Sequence, residues 1–437
     1  MLIALPSRMG TGQVRVRKKR KSMKITEIIA REVYDSRGWP TVQCDIVLDD
    51  ETIVSASVPA GLSRSRYEAR ELRDGGKRLW GMGVQKAIEN IRTIIAPEIV
   101  GQEPHALDMD FKMIELDGTP DKSYLGANAL LAVSMALYRA HAHVEGIELY
   151  ELIAYICGAE SVTLPFPLLN VINGGLHADN GLGIQEFMIV PVGATDFRTS
   201  LELSVTVFHE LKNVLKKHGK SIAVGDEGGF APVFKNYFEA LDILMEVLDK
   251  VDTADGGKCV IGLDVAASQL YDKNRGVYQW GNRRMTSHEL IEEYEALIDQ
   301  YPIYSIEDGL DEDDWMGWKA LTARLESKAQ VVADDIFATN IPRITQGIED
   351  HIATGVIIKP NQVGTITETL QAIKLCKDND LNIIVSHRSG ETEDTFIADL
   401  SVGASVGQIK AGGCSRSERL AKYNRLLEIE DTLMGVE

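Results

Sequence analysis

Apolar positions change rhythm about a third of the way along the chain. From Met23, two runs, Glu27–Val33 and Thr41–Leu48, read as strands separated by a turn containing Asp35, Gly38 and Pro40. Helical spacing then takes over through Gly83–Ile99 and most clearly through Gly126–Val144, where Ala and Leu dominate and Gly146 supplies a stop. Residues 23–160 therefore read as an α+β domain.

Beyond residue 160, short apolar runs end in polar or glycine-rich residues, with amphipathic helical stretches between most of them. The runs are Leu168–Val171, Phe187–Val192, Ser221–Val224, Val260–Leu263, Ile303–Ile306, Val331–Ala333, Gly355–Ile358 and Asn382–Val385, with a further short one before Lys410. About eight strands alternating mostly with helices over roughly 250 residues fit a β/α barrel better than an open doubly wound sheet. The fold class is α/β, with a barrel over 161–437 capped by the α+β domain.

Composition adds limits to this picture. The 437 residues suit two domains, and 44% hydrophobic with 25% charged residues is a globular balance. Formal charge is −19, but residues 1–22 hold seven basic residues (Arg8, Arg15, Arg17, Lys18, Lys19, Arg20, Lys21) and no acid. Removing that +7 from −19 leaves about −26 on the rest, which repels nucleic acid and anionic lipid. Residues 1–22 are expected to be a disordered extension ahead of Met23. Cys44, Cys157, Cys259, Cys376 and Cys414 are scattered and never form CxxC, so neither a disulfide framework nor a zinc knuckle is predicted. No apolar run reaches 18 residues and no secretory core opens the chain, so a cytoplasmic protein without a membrane span is expected.

In a β/α barrel the chemistry gathers where strands run out at the C-terminal face, which makes the residue closing each run informative. Asp264, Glu307 and Asp334 close three neighbouring runs, with Asp308 and Asp335 just behind. Three such carboxylates make an oxygen site for a hard cation such as Mg²⁺. Any one of them alone reads more readily as a helix cap or an arginine partner. Lys359 and Lys410 close two later runs and are expected to point into the same acidic mouth, where one can act as a base. Glu227 and Gln185-Glu186 lie elsewhere on the ring, and a carboxyl crowded by carboxylates has its pKa raised, as a general acid requires. Ser386-His387-Arg388-Ser389-Gly390 offers a guanidinium, hydroxyls and loop amides to a phosphate. Gly219-Lys220-Ser221 and Gly81-Met82-Gly83 lack the glycines of nucleotide loops, and His141 and His143 face different sides of their helix.

From Met23 onward the chain resembles the enolase family. The motifs include Asp35-Ser36-Arg37-Gly38, Asn170-Val171-Ile172-Asn173-Gly174-Gly175, Gln185-Glu186-Phe187-Met188, Gly225-Asp226-Glu227-Gly228-Gly229, Ser305-Ile306-Glu307-Asp308 and Arg416-Ser417-Glu418-Arg419. The resemblance implies an enolase-type barrel and Mg²⁺-dependent interconversion of 2-phosphoglycerate and phosphoenolpyruvate. A lysine base beside a Mg²⁺-stabilised ene-diolate is chemistry that the resemblance to that superfamily implies. The resemblance further implies Lys359 as the base and Glu227 as the acid with Glu186 beside it. Asp264, Glu307 and Asp334 fall on the first-metal ligands, Arg388 and Ser389 on the phosphate pair, and His177, Gln185, Ser386, His387 and Lys410 on substrate-contacting positions. A second Mg²⁺ that arrives with substrate would use Ser63, and the implied assembly is a homodimer.

Several residues depart from that pattern. Ala60-Gly61-Leu62-Ser63-Arg64-Ser65 replaces a smaller, uncharged loop, and Leu176 and Asp179 flank His177 differently. Gln43 and Glu428 replace one charge pair of the usual dimer contact, whereas Arg31 and Glu418 match another. Two other functions stay open on the residues alone: a related barrel acting on another carboxylate, and a non-catalytic scaffold. Arg388 and Ser389 weigh against the first, and the retained Glu227, Lys359 and Lys410 against the second.

Overall fold

The computed structural model describes residues 9–13, 22–62, 64–251 and 258–435. Strand β1 (Met9–Gln13) is followed by β2 (Ile25–Tyr34), β3 (Pro40–Leu48) and β4 (Ile53–Ser57), and the last three form an antiparallel sheet in the order β2-β3-β4. The turn between β2 and β3 is the expected one, since Asp35 Oδ1 accepts from the backbone N–H of Arg37 and Trp39, both at 2.9 Å. Inward residues Ala30, Val42, Cys44, Ile46 and Ala56 are buried and belong to one continuous core.

That sheet packs on the helix Ala127–Glu145, which is buried almost all round. Its alanines let the sheet approach on one side and the barrel on the other. The helix stops at Gly146, which takes a left-handed φ of 65° at the C-cap, as its position in the sequence predicted. The helical stretch expected over Gly83–Ile99 is present as a continuous right-handed backbone that widens in its middle. Helical turns at Gln85–Asn90 and Ala96–Ile99 flank a wider π-type turn at Ile91–Ile95. Pro97 supplies the reason: it has no N–H to donate and its ring crowds the carbonyl four residues back.

After β5 (Ser161–Leu164) come the barrel strands β6 (Phe166–Asn173), β7 (Glu186–Pro191) and β8 (Cys259–Asp264). A small antiparallel sheet of β9 (Tyr271–Asp272), β10 (Val277–Trp280) and β11 (Arg283–Met285) intervenes. The barrel continues with β12 (Ile303–Glu307), β13 (Gln330–Ala333), β14 (Gly355–Ile358), β15 (Asn382–Ser386) and β16 (Gly407–Lys410). It closes in the order β12-β13-β14-β15-β16-β6-β7-β8. All these strands are almost wholly buried, which is why they read as uninterrupted apolar runs.

Two expectations need correcting. Ser221–Val224 is no barrel strand: three of its four residues are exposed, and Val224 makes only an isolated bridge to Phe230. Its place in the ring is unnecessary because β7 follows β6 directly and pairs antiparallel with both β6 and β8. Residues 1–22 are also not a uniform extension. Met9–Gln13 pairs antiparallel with β5, whose otherwise open edge offers main-chain groups to an uncharged, glycine-containing stretch. The basic residues Arg8 and Arg15 through Lys21 lie outside the described residues, as does Ser63.

Candidate active site

The reversal of β7 matters chemically. In a parallel strand the last residue reaches the C-terminal rim, but in β7 the first one does, so Glu186 pairs across the sheet with Asp264 on one side and Asn173 on the other. Glu307 pairs with Asp264, and Ser386 with Lys410. Lys359 follows β14, four strands around the ring from Glu186, so the two face each other across the mouth. One narrow cavity there is lined by His177, Gln185, Glu186, Glu227, Asp264, Asp334, Lys359, Ser386, His387, Arg388, Ser389 and Lys410. Of the residues the sequence singled out, Glu307 sits behind this lining and Ser63 is not described. A larger, mostly apolar groove at the opposite end of the barrel, beside Cys259 and Pro302, holds no such constellation.

Lys410 is the hub of the acidic side. Its buried Nζ lies 2.9 Å from Asp264 Oδ2, 2.9 Å from Glu307 Oε1 and 3.2 Å from Glu186 Oε2. Burial disfavours its charge, yet Asp264, Glu186 and Glu307 outweigh burial and hold the ammonium pKa well above the ordinary lysine value. One cation among so many acids leaves negative charge uncompensated. Glu307 is pushed up to about 8 by burial and by Asp264, and its buried Oε2 has no hydrogen-bond partner. Lys359 Nζ pairs with Asp334 Oδ2. Here too burial opposes the charge, and Asp334 more than offsets it, so the Lys359 pKa is raised.

Glu186 and Glu227 form a dyad whose surroundings push the two carboxyl pKa values in opposite directions. Burial, then the neighbouring Glu227 charge, push Glu186 well above the carboxylate range. For Glu227 burial acts upward as well, but it is outweighed, first by His177 and further by the fixed charges of Arg419 and Lys410, so its pKa falls well below the usual value. Asn170 Nδ2 also donates to Glu227 Oε2 at 3.1 Å. Crowding by carboxylates was expected to raise the Glu227 pKa; in this dyad the upward push falls on Glu186.

The tautomer of His387 follows from its neighbour. Arg419 Nη1 lies 2.7 Å from His387 Nδ1, and arginine only donates, so Nδ1 accepts and the proton sits on Nε2. Burial holds the ring's pKa well below the usual histidine value, in keeping with the neutral form. Its Nε2 is directed at Glu227 Oε2, 3.7 Å away.

Arg388 and Ser389 lie where the cap meets the barrel. Ser389 Oγ accepts from the backbone N–H of Leu62 at 2.7 Å, and Ala60 and Gly390 exchange main-chain hydrogen bonds of 2.8 and 2.9 Å. Residues Ala60–Leu62 are therefore stitched to the strand-end loop that carries Arg388 and Ser389. Arg64 pairs with Glu71, so its charge is met within the cap, and Asp179 is exposed.

Residues 25–153 match the family model described as "Enolase, N-terminal domain", and residues 161–436 match "Enolase, C-terminal TIM barrel domain". The chain belongs to the enolase family. For an enolase-family protein the acid clusters at this mouth are the natural place for a metal. His177, Glu186 and Glu227 form one group with ligand atoms within 4.8 Å of one another, and Asp308, Asp334 and Asp335 form another. Asp264 and Glu307 are instead gathered by Lys410. The all-oxygen donor set of Asp264, Glu307 and Asp334, with an orphaned buried Glu307 oxygen, fits a hard divalent ion.

Sequence reading did not find the supporting shell. Arg419, Asn170, Gln362, Asn361 and Glu68 all bond to site residues. Arg419 and Asn170 lay in quoted motifs without a role assigned to them; Gln362, Asn361 and Glu68 carry polar side chains with no spacing signal. Asp308 takes a left-handed φ of 47° and receives the backbone N–H groups of Asp334 and Asp335 at 3.0–3.2 Å, holding the acidic turn in shape. Among the described residues no helix is long and apolar enough to cross a membrane.

Proposed function

We propose that this chain catalyses the Mg²⁺-dependent, reversible dehydration of 2-phosphoglycerate to phosphoenolpyruvate. The observation that carries the reading is the opposition of Lys359 to the Glu186–Glu227 dyad across one mouth, with Arg388 at its edge. A proton donor and a proton acceptor on opposite sides suit removal of a C2 proton and departure of a C3 hydroxyl from opposite faces of one small substrate.

The Lys359 ammonium, paired with Asp334 in the resting site, must first give up a proton; its Nζ then takes the proton at carbon 2, and the electron pair left behind forms the new double bond as the carbon–oxygen bond at carbon 3 breaks. The leaving hydroxyl collects its proton from the dyad, where Glu186 holds it and Glu227 with His177 lines the exit. Arg388 and Ser389 receive the phosphate, and Gln185, Ser386 and His387 complete the lining. Lys410 binds the carboxylate end of the substrate and screens the acids beneath it. Asp264, Glu307 and Asp334 would hold Mg²⁺, which when bound supplies Lewis-acid stabilisation to the developing ene-diolate. Ser63 belongs to the same reading as a ligand of a second ion.

A homodimer in the cytoplasm is part of the proposal, and sedimentation of the purified chain tests the dimer. Arg31 and Glu418 are engaged within the chain, with Asp45 at 2.6 Å and Arg416 at 2.7 Å, so any contact between copies must share or replace these pairs.

Phosphoenolpyruvate formation from 2-phosphoglycerate, followed with and without Mg²⁺, decides the matter. Metal-dependent turnover that falls about 10²–10⁴-fold or more in Lys359→Ala is the expected result. A folded, metal-replete protein that yields none would point to another carboxylate substrate or to a scaffold.

A further inference from the structure

Glu68 lies in the cap, outside every motif by which the mouth was recognised, yet its carboxylate grips the guanidinium of Arg388 with both oxygens. Arg388 Nη1 donates to Oε2 at 3.0 Å and Nη2 to Oε1 at 3.1 Å, and both side chains are buried. Asn361 Oδ1 accepts from Nη1 at 3.0 Å. Three bonds to two separate segments fix the plane of the guanidinium, so it cannot turn about its stem without breaking them.

Glu68 is itself held. Its Oε1 accepts from the backbone N–H of Ser65 at 3.2 Å and from Gln362 Nε2 at 3.4 Å. The Gln362 amide has a defined sense, because Thr339 Oγ1 donates to its Oε1 at 2.6 Å, which turns Nε2 toward Asp334 Oδ1 at 3.3 Å as well. A continuous chain of hydrogen bonds thus runs from Arg388 through Glu68 and Gln362 to Asp334, whose other oxygen holds Lys359.

A buried arginine without a carboxylate partner is strongly disfavoured, so losing Glu68 would send the guanidinium to another acid. The other acids that act on Arg388 are Asp334 and Asp335, and Asp334 is already the partner of Lys359. We propose that Glu68 is a positioning residue: it aims Arg388 at the phosphate of the substrate and keeps it away from the Asp334–Lys359 pair. This rests on the reading of Arg388 as the phosphate-binding residue. Pairing with Glu68 does not disqualify Arg388 for that task, since a guanidinium carries five donors along more than one edge and can serve two anions at once.

Calorimetric titration of the full chain with inorganic phosphate, in Mg²⁺, tests this in wild type, Glu68→Gln, Glu68→Ala and Asn361→Ala, with kinetics on 2-phosphoglycerate alongside. Phosphate affinity is expected to fall about tenfold or more in the two Glu68 variants, with KM rising by a similar factor and kcat changing much less. Asn361→Ala, which leaves the carboxylate grip intact, should lose less in the same direction, and it carries the test if the Glu68 variants do not fold. Unchanged or tighter phosphate binding in folded Glu68 variants, or no phosphate binding by wild type, would overturn the proposal. A wild type that binds phosphate, loses it on Glu68→Ala and yet makes no phosphoenolpyruvate would leave Glu68 in its role and sink the dehydration reading instead.

Discussion

Glu186 and Glu227 are the same residue type a few ångströms apart, and their neighbours decide which one keeps a proton. Lys410 and the acids crowd Glu186, whereas His177, Asn170 and Arg419 attend Glu227. Because the Glu227 charge is the largest cause of the Glu186 shift after burial, Glu227→Gln should let Glu186 ionise at lower pH. The protonated fraction of Glu186 near neutrality then falls. The basic limb of the kcat/KM profile is expected to move toward lower pH, and kcat to drop about 100-fold. pH–rate profiles of the variant and wild type check this, and a basic limb that stays in place would mean the two carboxyls are not coupled.

At the scale of elements, the loop after the dyad has little room. Gly228 sits at φ 88°, and a Cβ there would come within 2.5 Å of the Ser415 carbonyl oxygen, while Ser415 Oγ donates to the Gly228 carbonyl at 2.7 Å. Gly228→Ala combines a left-handed backbone with a backbone clash, so a loss of roughly 2 kcal/mol or more is expected, together with reduced turnover because Glu227 is the preceding residue. Thermal unfolding and kcat measured on the same preparation test it; a variant as stable and active as wild type would show that the loop relaxes freely. The same element illustrates what a linear pattern conveys. Asp264, Glu307, Asp334, Lys359 and Lys410 were legible because each closes a parallel strand. Glu186 opens an antiparallel one, so its place at the rim follows from the reversal of β7 and not from its position in its own run.

At the scale of the molecule, cap and barrel are joined through buried polar contacts. Arg139 on the cap helix grips Asp394 with two bonds of 2.7 Å. Deeper in, Asp110 Oδ2 accepts from Ser134 Oγ at 2.8 Å and from Thr367 Oγ1 and N–H at 2.7 and 2.9 Å, which ties a cap helix to the start of the helix Ile366–Lys377. Burial raises Asp110 to about 6 from 3.8, and the hydrogen bonds from Thr367 and Ser134 only partly oppose it. The folded state therefore holds this proton to higher pH than the unfolded chain does. Its contribution to stability is greatest below about 4, declines as pH rises to about 6, and is flat above, for a total of about 3 kcal/mol at most. In Asp110→Asn that slope disappears, so the unfolding temperature of the variant relative to wild type should rise between pH 4.5 and 6.5. A difference that does not vary with pH would remove Asp110 from the account.

What the sequence determined by itself was local and periodic: the barrel strands other than the misread Ser221–Val224, the stop at Gly146, the run-closing acids and lysines, and the family to which their motifs belong. These were legible because alternation, helical spacing and strand ends are properties of neighbours along the chain. The wide turn around Pro97 and the strand at Met9–Gln13 needed more, since each answers to a partner or a constraint beyond its own pattern. The reversal of β7, the upward push on the Glu186 pKa, the tautomer of His387 and the hold of Glu68 on Arg388 were decided only by tertiary structure. Each depends on a charge or a hydrogen-bond partner brought close through space by chain closure, and Glu68 and Arg388 lie 320 residues apart.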